Sequence, residues 1–280
     1  MSESPASLSD LASQVLASAK SAGFALMKAN YVERHARELP GGKVRGLAPE
    51  AREIAVALRD SIWTRFDSLR FHHNLMIRVD GSRQQQLNGM NNSVDGFDAI
   101  WGASMHSHYL FDDLVFNAAS LFDYLGNSIW FGFHGQNYIK KKWSKVYEAA
   151  KRPDLEEGLS LKTRIYGSRT GTLILEAHDA LVGDLYGYRS ELIHIRADGP
   201  DVFSSRFWEE SSRSGFRLPL PKAYMRRLRG LVAADAQDQV DMLAGAEHLI
   251  RRIGAVTLSL LETLRYDLGW KEGEALTILG

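Results

Sequence analysis

Cysteine is absent from all 280 residues of the chain. Its absence excludes disulfide bonds, metal sites built on thiolates and catalysis by a cysteine nucleophile. It also fits a reducing compartment, where disulfides are rare.

A net charge is lacking as well, because 34 basic residues balance 34 acidic ones. No global field therefore points to nucleic acid or to a membrane, and an anionic partner requires a local basic patch. Two basic segments are candidates, and for each of them a solvated helix face is the alternative interpretation. Their members are Lys140, Lys141, Lys142 and Lys145, and Lys222, Arg226, Arg227 and Arg229.

Long apolar runs are missing too. No stretch of about 18 apolar residues occurs, which argues against a membrane-spanning helix. The polar start of the chain has neither a basic region nor an unbroken apolar core of the kind that a secretory signal needs. We expect a cytoplasmic protein without a membrane partner.

Alternating strand patterns are scarce, whereas apolar residues recur at spacings of three and four in several segments. We therefore predict an all-α fold, an antiparallel bundle of four to five long helices with an additional helical N-terminal region. The predicted helices cover residues 8–29, 49–69, 107–133, 138–151, 171–199 and 236–268.

Residues 80–105 are rich in Gly, Asn, Gln and Ser, which predicts a long polar loop. The loop suggests a boundary between an N-terminal helical extension, residues 1–104, and the main bundle, residues 105–280.

The most informative stretch is DLYGYRSELIHIRADG, residues 184–199, at the end of an apolar helical segment. It places Arg189 five positions before His194. A permanent cation beside an imidazole that titrates near neutrality suits phosphodiester chemistry. Five residues turn an α-helix by about 500°, so the two positions lie about 140° apart around the axis. The spacing therefore predicts a site composed from two chains, a homodimer, if the pair is catalytic.

The segment YRSELIH at a helix end resembles the motif of the HEPN superfamily (higher eukaryotes and prokaryotes nucleotide-binding), an Arg and a His with four to six residues between them. The resemblance implies a HEPN-like helical bundle over residues 105–280 and a homodimer with facing motif helices. It also implies a metal-independent endoribonuclease, of the kind found among toxins and antiviral effectors, and a neutralising protein partner is then conceivable. No cofactor is expected.

In that interpretation Arg189, His194 and Ser190 are the catalytic residues. His194 moves protons, Arg189 stabilises charge on the phosphorane, and Ser190 positions a phosphate oxygen or orients the imidazole. Ser190 departs from the family pattern, which more often has Asn, Asp or His there. Tyr186 and Tyr188, with Arg196, are the predicted substrate-binding residues, because aromatic rings commonly stack on the bases of single-stranded RNA.

A second hypothesis remains open beside this one. Arg and His side chains in the last turns of a helix also interact well with its dipole and free carbonyls. The same residues therefore fit a non-catalytic HEPN-like module that binds a nucleotide or a protein partner.

Four other histidines are candidate metal ligands, in the pairs His72-His73 and His106-x-His108. Neither pair has carboxylates at a helical ligand spacing, so we predict no metal site. His178 lies on the apolar stripe of the motif helix, where a hydrogen-bonded core residue is the main interpretation and a second catalytic base the alternative.

Overall fold

The computed structural model describes residues 7–38, 49–88, 94–135, 142–157, 164–194 and 241–271. Side chains are described at 7–30, 51–85, 105–135, 142–157, 164–191 and 241–271. Within these ranges the fold is an all-α helical bundle, which confirms the predicted fold class. The elements are α1 (Leu8–Glu38), α2 (Pro49–Asn88), α3 (Val94–His134), α4 (Trp143–Lys151), a 3₁₀ turn (Pro153–Glu156), α5 (Arg169–Ala177), a π-helical segment (His178–Val182), α6 (Gly183–His194) and α7 (Met242–Asp267).

The first two helices begin where the sequence predicts them to begin. At the start of α1, the Ser7 hydroxyl accepts a hydrogen bond from Asp10 N, and Ser7 N donates to the Asp10 carboxylate, both at 3.1 Å. This reciprocal pair satisfies two amides that a helix start otherwise leaves without partners. α2 begins at Pro49, where a proline in the first turn costs no helical hydrogen bond.

The long polar loop predicted near residues 80–105 is wrong where the structure describes that region. α2 continues to Asn88 and α3 already begins at Val94. Gly and Asn lower helix propensity by at most about 1 kcal/mol per residue, which tertiary contacts override. Arg83 in this part of α2 is 1% exposed, so its side chain is packed within the fold, and it also pairs with Asp80 one turn earlier in the same helix.

Packing divides the chain into two compact units. Unit 1 comprises Met1–Phe66, Ser120–Val182 and Gly254–Gly280, and unit 2 comprises Asp67–Ala119 and Gly183–Ile253. Each unit takes segments from both sides of residue 104, and α3 passes that position without a break. The predicted division into an N-terminal extension and a HEPN-like bundle stays a prediction.

In unit 1, Trp143 at the start of α4 is 1% exposed and packs edge-on against Phe122, with 5.4 Å between ring centroids. Lys142 precedes the helix and provides no side-chain cap. The carboxylate of Asp123 on α3 instead accepts a hydrogen bond from Trp143 N at 3.0 Å. An acidic group from another helix thus stabilises the positive end of α4.

In unit 2, parts of α2, α3, α6 and α7 form the core. Among the described side chains of this unit, the fully buried apolar residues are Leu69, Met76, Phe111, Leu114, Val115, Ala118, Ala119, Leu185, Ala246, Leu249, Ile250 and Ile253. No helix within the described ranges combines the length and the apolar character needed to cross a bilayer.

Candidate functional site

The helix that carries the Arg189-x4-His194 motif runs from Arg169 to His194 as α5, the π-helical segment and α6. Its apolar spacing predicts a buried stripe that includes Ile174, Leu181 and Leu185, and each of these is at most 1% exposed. This agreement between apolar spacing and burial supports the placement of the motif on a packed helix rather than in a loop.

The first turn of α5 is held by several hydrogen bonds. Ser168 Oγ accepts a hydrogen bond from Gly171 N at 2.8 Å. Asp267 Oδ2 accepts two more, from Thr170 N at 2.8 Å and Thr170 Oγ1 at 2.7 Å. Gly171 is required because a Cβ there would lie 2.0 Å from the carbonyl oxygen of Ile165. The start of the motif helix therefore has one tightly determined position.

The π-helical segment begins at His178, and such segments often occur at functional sites. Here His178 Nδ1 accepts a hydrogen bond from the Trp143 indole at 3.2 Å, and its ring stacks on Tyr147 with 3.7 Å between centroids. An indole N–H can only donate, so Nδ1 carries no proton. Burial lowers the pKa of His178, which favours the same neutral form. His178 is thus hydrogen-bonded as the main interpretation predicts, but it is half-buried and lies at the edge of the core rather than within it.

Arg189 lies on α6 and is partly exposed. Its guanidinium carbon is 5.8 Å from the ring centroid of Phe116 on α3, within the range of a cation–π interaction. Because such a contact limits the rotamers of a long side chain, it favours one position of the guanidinium on the surface of unit 2.

The two tyrosines predicted to bind substrate both make hydrogen bonds to α3. Tyr188 is 1% exposed, and its hydroxyl donates to Asp112 Oδ1 at 2.9 Å. Tyr186 is partly exposed and donates to the backbone oxygen of Ala119 at 3.2 Å. In this conformation the buried ring of Tyr188 offers no face to a base, and both tyrosines attach α6 to α3.

The remaining motif residues differ in how far the structure describes them. Ser190 is exposed on α6. His194 is the last residue of α6, but its side chain lies outside the described side chains, and Arg196 lies outside the described residues altogether. Because α6 is α-helical from residue 183 to 194, positions 189 and 194 are separated by about 140° around its axis. The catalytic pairing of Arg189 with His194 stays a prediction.

Within the described side chains no group of three or more His, Asp or Glu residues is placed to hold a metal ion. His73 and His108 are buried in unit 2, and burial lowers the pKa of both, that of His108 to about 4. Of the two basic segments, Lys142 and Lys145 are exposed, whereas Lys140, Lys141 and the segment 222–229 lie outside the described residues.

Sequence reasoning missed Asp112 and Phe116, which hold Tyr188 and Arg189 in position. No local signal identifies them, since Asp112 and Tyr188 are 76 positions apart in the chain. Contacts of this kind depend on which helices pack together, and helical periodicity alone does not predict that.

Comparisons with known protein families, with characterised proteins and with solved structures find no match to this chain.

Proposed function

We propose that the protein is a metal-independent endoribonuclease of HEPN type that cleaves RNA by attack of the 2′-hydroxyl group. The observation that carries the proposal is the sequence Arg189-x4-His194 on a helix that ends at His194. Arg189 is partly exposed on α6 in unit 2, and a guanidinium is well suited to bind a phosphate.

The proposed reaction needs one proton acceptor, one proton donor and one group that stabilises negative charge. The 2′-oxygen bonds to phosphorus while His194 accepts its proton, and the bond from phosphorus to the 5′-oxygen breaks as a second imidazole protonates that oxygen. Arg189 stabilises the charge on the non-bridging oxygens, and Ser190 orients a phosphate oxygen or the imidazole. The products are a 2′,3′-cyclic phosphate and a free 5′-hydroxyl.

A homodimer is part of the proposal. Two positions about 140° apart on one straight helix do not meet across that helix, so each subunit would supply an Arg and a His to a composite site. We place this activity in the cytoplasm, where RNA is accessible and a chain without cysteine needs no oxidising environment. A role as toxin or antiviral effector would add a neutralising protein partner.

The test is cleavage of RNA by the purified protein in the presence of EDTA. Fragments should carry 2′,3′-cyclic phosphate ends, and His194→Ala should lower the rate by about 100-fold or more, the usual contribution of a general acid or base. His248→Ala, at a partly exposed histidine on α7, is the matched control and should cleave like the wild type. Equal rates for wild type and His194→Ala would contradict the proposal.

The second candidate is a non-catalytic HEPN-like module that binds a nucleotide or a protein partner. It is favoured by the hydrogen bond between Tyr188 and Asp112, which gives the motif helix a packing role, and by Ser190 in the polar position. Under this alternative, Arg189→Ala lowers the melting temperature or breaks an interface, and neither wild type nor variant cleaves RNA.

A further inference from the structure

One face of α3 in unit 2 carries two exposed side chains, Tyr109 and Asp113, and the half-buried Phe116. Tyr109, Asp113 and Phe116 follow one another at spacings of four and three, which places them on one stripe of the helix. Tyr109 is 57% exposed, and the side chain of Asp113 is 62% exposed. We call these three residues the α3 stripe.

Side chains from two other helices lie beside the stripe. Arg189 of α6 contacts its Phe116 end, as described above. His72 of α2 approaches its centre, with 3.9 Å between Nε2 and Asp113 Oδ2. Phe71, which is 56% exposed, lies edge-on to the His72 ring with 5.6 Å between centroids.

The orientation of His72 is determined by its own helix. His72 Nδ1 lies 2.6 Å from the backbone oxygen of Ser68. A carbonyl oxygen only accepts hydrogen bonds, so Nδ1 carries a proton and Nε2 is the nitrogen turned toward the stripe. The imidazole therefore presents its second nitrogen to any molecule that lies along α3.

We propose that the α3 stripe, with Phe71, His72 and Arg189 beside it, is a binding surface for single-stranded RNA. The inference rests on the proposed function for the class of ligand and adds where the strand lies. Exposed aromatic rings stack on bases whatever their identity, and a guanidinium binds a phosphate. Base-paired RNA hides its base faces within the stack, so the surface binds an unpaired strand.

Asp113 adds a base preference to this surface. A carboxylate repels phosphates but accepts hydrogen bonds from amino groups on base edges, such as N4 of cytosine. Uracil has no exocyclic amino group. The strand therefore lies with a phosphate at Arg189 and with bases at Asp113 and Tyr109, and cytosine is bound in preference to uracil at that position.

The experiment measures fluorescence anisotropy of short labelled oligonucleotides made of 2′-O-methyl cytidine or uridine, which cannot undergo 2′-hydroxyl attack. We expect tighter binding of the cytidine strand and a loss of affinity of about 5-fold or more for Tyr109→Ala and for Phe71→Ala, the loss of one stacked base. Tyr266→Ala is the matched control, since Tyr266 is 59% exposed and belongs to unit 1. It should bind like the wild type.

Equal affinity of wild type, Tyr109→Ala and Phe71→Ala would overturn the inference. So would a wild type that binds neither strand and loses self-association on Tyr109→Ala, a result that assigns the rings to a protein interface. Binding with these properties but without cleavage of unmodified RNA would remove only the proposed function. Cleavage that depends on His194 but not on Tyr109 or Phe71 would remove only the inference.

Discussion

Each unit contains a contact between a histidine and a carboxylate, and the two contacts differ in burial. In unit 1, His134 Nε2 lies 3.0 Å from Glu156 Oε1, and both side chains are fully buried. In unit 2, His72 and Asp113 are 3.9 Å apart, with side chains 16% and 62% exposed. We call them the buried pair and the surface pair.

The buried pair is surrounded by further hydrogen bonds. Glu156 Oε1 accepts from Ile165 N at 2.7 Å, and Oε2 accepts from Tyr166 N at 3.0 Å. The ring of His134 also packs against Trp130, with 4.3 Å between centroids. Asp113 receives no such hydrogen bonds from the described residues, and most of its side chain is exposed to solvent. The same residue types therefore stabilise the fold in one unit and remain accessible to a ligand in the other.

The largest expected effect is that of Glu156→Ala. It removes the acceptor of two backbone amides and the partner of a buried imidazole, and breaking a buried pair costs about 3–5 kcal/mol. Urea denaturation should show this loss in the free energy of unfolding. Glu157→Ala changes an exposed neighbour and should have little effect. A loss below about 1 kcal/mol for Glu156→Ala would remove the distinction between the two pairs.

The next largest effect is on the pH dependence of stability, to which His108 in unit 2 and Glu156 in unit 1 contribute in different pH ranges. The pKa of His108 is lowered by burial to about 4 from 6.5, so between these values the unfolded chain binds the proton that the folded chain excludes. Stability should thus fall as the pH is lowered from about 6.5 to 4, by at most about 3 kcal/mol. His108→Gln should flatten this part of the profile of unfolding free energy against pH.

Glu156 contributes in a lower pH range. Burial alone raises the pKa of Glu156, but the hydrogen bonds from His134 and the two amides outweigh it, and the pKa lies below its ordinary 4.5. Its contribution is present above that value and is lost as the pH falls through the lowered pKa. Glu156→Gln should therefore change the profile below about pH 4.5 and leave the region controlled by His108 unchanged. Identical profiles for the two variants would contradict both assignments.

A smaller effect on stability tests whether the packing around the buried pair includes the start of α5. Ile165 donates its amide to Glu156, and its carbonyl oxygen lies where a Cβ on residue 171 would be. Gly171→Ala should therefore cost about 1–3 kcal/mol, the usual effect of overpacking. Gly81→Ala in unit 2 has no heavy atom within 4 Å of the new Cβ and should stabilise α2 by about 0.5–1 kcal/mol. Equal effects of the two substitutions in urea denaturation would contradict the tight packing of Gly171 against Ile165.

Much of this organisation could be predicted from apolar spacing, and some of it could not. The stripe on α3 that includes Phe111, Leu114 and Leu121 is buried as its spacing predicts. The lengths of α2 and α3 were not predictable, because weak helix formers near residues 80–105 are overridden by tertiary packing, as the burial of Arg83 in α2 indicates. Motif spacing identified Arg189, but not Phe116 beneath it or His72 and Asp113 on neighbouring helices.

The smallest expected effect on stability is that of Asp113→Ala in the surface pair. Exposed ion pairs contribute between about 0 and 1 kcal/mol, so the free energy of unfolding should change by about 0.5 kcal/mol or less. On the RNA surface proposed above, the same substitution removes both a repulsive charge and the acceptor for a base amino group. The cytidine oligonucleotide should then lose its advantage over the uridine oligonucleotide in anisotropy titrations. A stability loss above about 2 kcal/mol would instead give Asp113 the structural role of Glu156, because a carboxylate that holds the fold together is not available to select a base.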